Sequence, residues 1–210
     1  MPDASTFLLF AAASLAFLIV PGPSVIYIVT RSLVHGRRGG LTSALGVQVG
    51  GLVHVVGATI GVSALIASSA TAFTVVKYAG AAYLVFLGLR RLLARNEREP
   101  EAPPPSTPAS RLFWQGTLVN VLNPKTALFF LAFLPQFVDP AAGPVAPQML
   151  VLGTLLVAIG TVSDGTYALL AAGAGRRLRE AAAARRALDR VGGGVFVGLG
   201  VATALSGEPD

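Results

Sequence analysis

The chain has 210 residues, of which 53% are hydrophobic and only 12% are charged. Soluble domains carry about 25% charged residues, so this chain has too few charges to cover a globular surface. The formal net charge is +6 and cysteine is absent, which excludes disulfide frameworks, thiolate metal sites and cysteine nucleophiles.

Six long apolar stretches follow one another along the chain, and each predicts a membrane-spanning helix. About 20 helical residues cross the core of a bilayer, and strand-like alternation is missing here. The predicted spans are Ser5–Val29, Leu41–Ala67, Phe73–Leu93, Leu112–Phe137, Gln148–Ala172 and Val191–Ser206. The last span, with roughly 16 apolar residues, is short for a complete crossing.

The lysines and arginines are distributed unevenly among the predicted loops. Fourteen of the 16 lie within residues 31–38, 90–111 and 176–190, which are alternate loops. Since positively charged loops stay in the cytoplasm, both termini are predicted to lie outside. The basic residues therefore orient a membrane protein in its lipid bilayer, and no nucleic-acid partner is predicted.

A polar, proline-rich linker at residues 96–111 separates residues 1–95 from residues 112–206. Each part contains three predicted spans, so the two parts have opposite orientations, as is common in secondary transporters. The predicted fold class is an all-α integral membrane protein with about six transmembrane helices in two inverted three-helix halves. Glycine-rich helix faces could serve internal packing or a homodimer.

Two spans contain helix-breaking motifs near their middle, at corresponding positions of the two halves. The first span contains Pro21-Gly22-Pro23, and the fourth contains Asn123-Pro124-Lys125. Proline removes a hydrogen-bond donor, and both motifs are typical of a helix that ends and restarts. The two new helix N-termini would form a midplane receptor for an anionic group such as a carboxylate. The alternative is a pair of packing kinks.

Two ionisable residues inside spans are further candidates. Asp164 lies near the centre of the fifth span, where burial of a carboxylate is costly. We therefore expect Asp164 to have either a charged partner or a function. Lys125 lies at similar depth, so the simplest alternative is a structural ion pair. The functional reading is that Asp164 takes up a proton or binds a substrate ammonium.

His54, in the second span, could shuttle a proton, or could be a neutral, hydrogen-bonded histidine. Gln48 falls on another face of the same span and is predicted to matter less.

Several motifs together are specific, although each is weak alone: Val20-Pro21-Gly22-Pro23, the segment Gly40–Gly51, Tyr78–Leu84 with Gly88, Asn120–Lys125, and Pro135-Gln136-Phe137. In this order and separation they resemble the LysE/RhtB family of bacterial amino-acid exporters over nearly the whole chain. The resemblance implies a small inner-membrane bundle that exports amino acids or close derivatives by proton exchange. It also implies that the family's motif prolines correspond to Pro21, Pro23 and Pro124, and its span-five acid to Asp164.

The leading hypothesis is a secondary transporter whose partners are an amino-acid substrate, a proton and the lipid bilayer. No metal or cofactor is predicted, and no phosphate-binding loop for ATP is present in the sequence. The alternatives are a membrane channel or a structural membrane protein. An enzyme is not predicted, because His54 and Asp164 supply neither a nucleophile with its base nor a set of metal ligands.

Overall fold

The computed structural model describes residues 2–68 and 107–179 continuously, together with single helical positions within 74–89 and 197–205. Within these residues every regular element is of the α, π or 3-10 helical type and no strand occurs, which confirms the all-α prediction. The predicted third and last spans and most of the proline-rich linker lie outside the continuously described residues. The arrangement of six helices in two inverted halves therefore stays a prediction.

The first predicted span is divided at its proline motif. Helix α1 covers Ala4–Ile19, and helix α2 begins at Pro23. Pro21 and Pro23 lack the N–H groups that would donate to the carbonyls four residues earlier, so one helix cannot run through them. Pro23 is the first residue of the new helix, where its fixed φ is favourable and α2 itself needs no N–H donor. The predicted helix restart is confirmed.

Helix α2 covers Pro23–Ser68 and changes direction at Gly36. Gly36 has φ 66° and ψ −166°, a combination that essentially only glycine adopts. It separates an arm of residues 23–35 from an arm of residues 37–68. The prediction of a loop between the first two spans is wrong: the basic residues 31–38 lie in helical turns, because one glycine absorbs the change of direction.

The fourth predicted span is also divided. Helix α3 covers Ala109–Val121 and helix α4 covers Pro124–Leu128, and the chain bends by 47° between them. Asn123 caps α4 by accepting a hydrogen bond from the Lys125 N–H at 3.1 Å. This capping confirms that a helix starts at the asparagine-proline pair, as the sequence predicts.

The chain beyond α4 remains helical in a less regular form. A π-helical turn, Phe129–Phe133, is followed by 3-10 turns at Leu134–Phe137 and Pro140–Ala142. Helix α5 then covers Val145–Arg179, which extends the predicted fifth span at both ends.

The described helices are apolar on the outside. Pro23–Gly61 and Val145–Gly173 are long and apolar enough to cross a membrane, as is the bent pair Ala109–Val121 and Pro124–Phe137 if it forms one span. Helix α1 is apolar but has only 16 residues. Large apolar side chains face outward, for example Ile60 and Val162 with 67% and 72% exposure. Such an exterior is suited to lipid and leaves the polar side chains inside.

Small residues allow the second arm of α2 to approach α3 closely. A Cβ atom on Gly50 would lie 2.7 Å from the Thr117 carbonyl oxygen, and one on Gly116 would lie 2.6 Å from the Ser43 carbonyl oxygen. The two backbones are therefore nearly in contact. Thr117 Oγ1 donates a hydrogen bond to the Gly46 carbonyl at 3.0 Å across this interface. The interface fixes α3, and with it Asn120, against α2.

A cluster of phenylalanines packs α1 against the turns that follow α4. The neighbouring ring centroids lie 4.1–6.3 Å apart in the set Phe10, Phe17, Phe129, Phe133 and Phe137. This buried cluster holds the last turns of α1 beside α4, and Phe17 also contributes to the cavity described next.

Candidate functional site

A cavity lined by both apolar and polar side chains lies between the two helix breaks. Its volume is about 50 Å³, which is room for a few water molecules. All five helices contribute to its lining, and its polar side chains are Ser24, Gln48, Asn120, Asn123, Lys125, Thr126 and Asp164. Of the residues predicted from the sequence, Gly22, Asn123, Lys125 and Asp164 line this cavity. Pro21, Pro23 and Pro124 form the breaks beside it.

Lys125 is held at the end of α1. Its side chain is buried, with 6% exposure, and its ammonium donates hydrogen bonds to the carbonyl oxygens of Phe17 at 2.8 Å and Val20 at 2.6 Å. The ammonium also lies 4.2 Å from the centre of the Phe17 ring. The carbonyl of Phe17 would otherwise accept the N–H that Pro21 lacks. Lys125 therefore caps α1 from α4.

Gly22 makes room for that cap. A Cβ atom at this position would lie 2.9 Å from Cδ of Lys125. Any side chain here would push against a lysine whose ammonium is already fixed by two hydrogen bonds. The glycine in the proline-glycine-proline motif is therefore required by the close approach of the Lys125 side chain.

Amide and hydroxyl side chains tie the two breaks together. Asn123 Nδ2 donates to Ser24 Oγ at 2.8 Å, and Ser24 Oγ donates to Asn120 Oδ1 at 3.0 Å. Asn120 Oδ1 also accepts from Thr126 Oγ1 at 3.0 Å, and Asn120 Nδ2 donates to the Val47 carbonyl at 2.7 Å. Asn120 thus connects α3 with both arms of α2 and with α4. A buried network satisfied in this way fixes one geometry.

Asp164 is buried on α5, with 4% exposure, and accepts a hydrogen bond from Gln48 Nε2 to its Oδ2 at 2.7 Å. The positive charge of Lys125 attracts its carboxylate across the cavity. A Cβ atom on Gly160 would lie 3.1 Å from Gln48 Oε1, so the small residue beside Asp164 leaves space for the amide. The carboxylate thus has one direct amide donor and one nearby cation.

His54 lies behind the cavity wall. Its Nε2 is 2.9 Å from the Asn120 carbonyl oxygen, and its ring stacks on Phe130 with 5.8 Å between centroids. A carbonyl oxygen only accepts, so Nε2 carries the hydrogen. Phe130 lines the cavity, whereas His54 is not among the described residues that do. His54 is therefore hydrogen-bonded, as one of the two alternatives expects. A role of His54 in proton transfer stays a prediction.

Four polar residues that line the cavity are not among the site residues predicted from the sequence: Ser24, Gln48, Asn120 and Thr126. Gln48 is predicted to matter less because it lies on a different face from His54, but that face is the one directed at Asp164. One signal could have identified Asn120, since it lies three residues before Asn123 in a nearly uncharged segment. Ser24 follows the break directly, at the start of α2.

Comparison with known proteins gives the family context. The sequence profile described as LysE type translocator matches residues 15–207. An uncharacterized membrane protein of Vibrio cholerae is 34% identical over 97% of this chain and 98% of its own length. A homoserine/homoserine lactone efflux protein of Salmonella typhimurium is 36% identical over 72% of this chain and 73% of its own. A leucine efflux protein of Klebsiella pneumoniae is 30% identical over 73% of each chain. No solved structure matches.

Proposed function

The chain belongs to the LysE type translocator family of membrane proteins, and on this premise we propose that it is a secondary transporter that exports small amino acids or their derivatives from the cytoplasm. The observation that carries the proposal is the cavity at the two helix breaks, which brings one buried cation and one buried anion together. An amino acid carries the same two charges. Names of relatives that refer to homoserine and leucine efflux support this class of substrate.

The substrate carboxylate would be held at the breaks. Ser24 and Val25 line the cavity in the first turn of α2, where N–H groups lack partners within the helix. The partial positive charge of this helix end favours an anion. At the second break the Lys125 N–H is already accepted by Asn123, so the first break is the stronger candidate for the carboxylate. Pro21, Gly22 and Pro23 would shape this part of the site.

Asp164 would bind the substrate ammonium or take up the coupled proton. A carboxylate buried in a membrane protein is expensive unless it is neutralised. Substrate and proton would compete for the same carboxylate, and that competition is the simplest basis for exchange of an amino acid against a proton. His54 stays a second candidate for the proton path. The proposal involves no covalent step, so no enzyme activity is assigned.

The wider architecture belongs to the same proposal. Six spans in two inverted halves would place the breaks near the midplane of a bacterial-type inner membrane, with both termini outside and the basic segments 31–38, 90–111 and 176–190 in the cytoplasm. The two halves would rock about the cavity. The second break, which lies inside the apolar bent pair Ala109–Val121 and Pro124–Phe137, supports this arrangement.

Transport in proteoliposomes tests the proposal. The purified protein would be reconstituted with labelled homoserine, leucine and lysine inside, and efflux would be followed with and without an imposed pH gradient. We expect efflux of at least one amino acid that depends on the gradient. Asp164→Asn should reduce it at least tenfold, because the amide keeps the shape but loses the charge.

Asp139→Asn is the matched control, since Asp139 lies outside the cavity in the turn before α5. Efflux that ignores the gradient would indicate a channel. No efflux of any amino acid would overturn the proposed substrate class. If Asp164→Asn retains gradient-dependent efflux, the protein is still a transporter, but Asp164 has no part in its mechanism.

A further inference from the structure

Three backbone carbonyls near the breaks lack the helical N–H donor that they would normally have, because the residue four positions later is proline. In an α-helix each carbonyl accepts from the N–H four residues later, and proline has no N–H. The affected carbonyls are those of Phe17, Ile19 and Asn120, which precede Pro21, Pro23 and Pro124. In a bilayer core water is not available to satisfy such a group.

Each of these carbonyls faces a nitrogen or oxygen donor of a side chain from another helix. The donors are Lys125 for Phe17, Tyr167 for Ile19 and His54 for Asn120. The Asn120 carbonyl also accepts from the Asn123 N–H at 3.0 Å, so His54 is not its sole donor. The two carbonyls of α1 receive their donors from α4 and α5.

We propose that Tyr167 is a positioning residue of the transport site, whose hydroxyl replaces the N–H that Pro23 lacks. The hydroxyl donates to the Ile19 carbonyl at 2.7 Å. Tyr167 lies three residues after Asp164 on α5, so the two side chains project from the same face of that helix. The end of α1 is thereby fixed to the helix that carries Asp164.

The position of the α1 end matters because Phe17 and Leu18 line the cavity together with Asp164. Lys125 holds the same end from α4 through the carbonyls of Phe17 and Val20. Tyr167 supplies the second attachment point, on α5. Together with the phenylalanine cluster, these two attachments on different helices define where the end of α1 lies. This inference rests on the proposed function for its meaning in transport.

The test compares Tyr167→Phe with Tyr27→Phe. The Tyr27 hydroxyl also donates to a main-chain carbonyl at 2.7 Å, that of Leu112, but the residue four positions later is Gly116, which has its own N–H. Tyr167→Phe should raise the KM of efflux about five- to tenfold, which corresponds to the net free energy of one hydrogen bond. The kcat of efflux should not change. Tyr27→Phe should leave KM unchanged.

A double-mutant cycle asks whether Tyr167 and Pro23 form a pair. Pro23→Ala returns a main-chain N–H four residues after Ile19. Tyr167→Phe alone should lower the Tm of the detergent-solubilised protein by about 2–4 °C. In the Pro23→Ala background the same substitution should lower Tm by less than half as much. An undiminished effect in that background would overturn the pairing.

A cysteine reporter measures position without reference to transport. The chain has no cysteine, so Leu18→Cys would be the single thiol, placed at the cavity end of α1. Tyr167→Phe should raise its rate of maleimide labelling severalfold, and Tyr27→Phe should not. Equal rates in the two tyrosine variants would overturn the positioning role, even if Pro23→Ala fails to fold. If the wild type exports no amino acid, the proposed function fails, while this reporter still decides the placement of α1.

Discussion

The two helix breaks look alike in the sequence, yet they are stabilised in different ways. At the first break, between α1 and α2, the carbonyls of α1 are satisfied by Lys125 and Tyr167 from the second half of the chain. At the second break, between α3 and α4, Asn123 caps the new helix with its own side chain. The first break depends on distant residues, and the second is largely local.

Under the proposed rocking of the two halves, this difference predicts which break would be strained. A cap contributed by another helix is lost when that helix moves away, whereas a local cap travels with its own helix. Rocking of the two halves would therefore strain the first break and leave the second intact. Three substitutions test this asymmetry, in order of expected effect.

Lys125→Met should have the largest effect. It removes the ammonium that donates to two buried carbonyls and attracts the Asp164 carboxylate. Each unsatisfied buried group costs about 1–3 kcal/mol, so we expect the free energy of unfolding to fall by about 3 kcal/mol. Thermal unfolding in detergent measures this change.

Arg111→Met is the matched control, because Arg111 is exposed and its loss removes a charge alone. We expect it to change the free energy of unfolding by less than about 0.5 kcal/mol. Similar losses in the two variants would mean that the first break does not depend on Lys125, and the contrast between the breaks would disappear.

Gly22→Ala should have an intermediate effect at the same break. The new methyl group would press on Lys125 Cδ, and the lysine cannot retreat without giving up its bonds to α1. Overpacking of this kind costs about 1–3 kcal/mol. Thermal unfolding should therefore show a lower Tm for Gly22→Ala.

The control for this substitution has the opposite expected sign. Gly165 lies within α5, and a Cβ atom there meets none of the described residues within 4 Å. Gly165→Ala should therefore be neutral or stabilising by up to about 1 kcal/mol, because alanine is the better helix former. Destabilisation of the same size in both variants would indicate a general loss on substitution of glycine rather than a clash with Lys125.

The sequence predicts the breaks well because their causes are local. Proline at a fixed position excludes one hydrogen bond, and asparagine before proline caps a helix, whatever the rest of the chain does. The helical path around Gly36 could not be predicted in the same way, since arginine-rich turns and loops have similar compositions. One residue with positive φ decides between them.

The partners across the cavity were harder to predict. Lys125 and Asp164 are recognisable in the sequence as charges inside apolar spans, but the carbonyl partners of Lys125 are backbone atoms and leave no residue-type signal. The importance of Gln48 is not predictable in this way, because helical periodicity gives the faces of one helix without saying which face meets α5. Such pairings depend on the packing of distant helices, which a single sequence does not specify.

Asn123→Ala should have the smallest effect of the three, because it acts on the local break. It removes the N-cap of α4 and one hydrogen bond to Ser24. Loss of a cap costs about 1 kcal/mol, and Asn123→Ser should recover most of it, since a hydroxyl oxygen can accept the same N–H. The Tm values of the wild type, Asn123→Ala and Asn123→Ser measure this loss and its recovery. If Asn123→Ala proves as damaging as Lys125→Met and serine does not rescue it, the second break also depends on its distant contacts. Both breaks would then respond to movement between the halves.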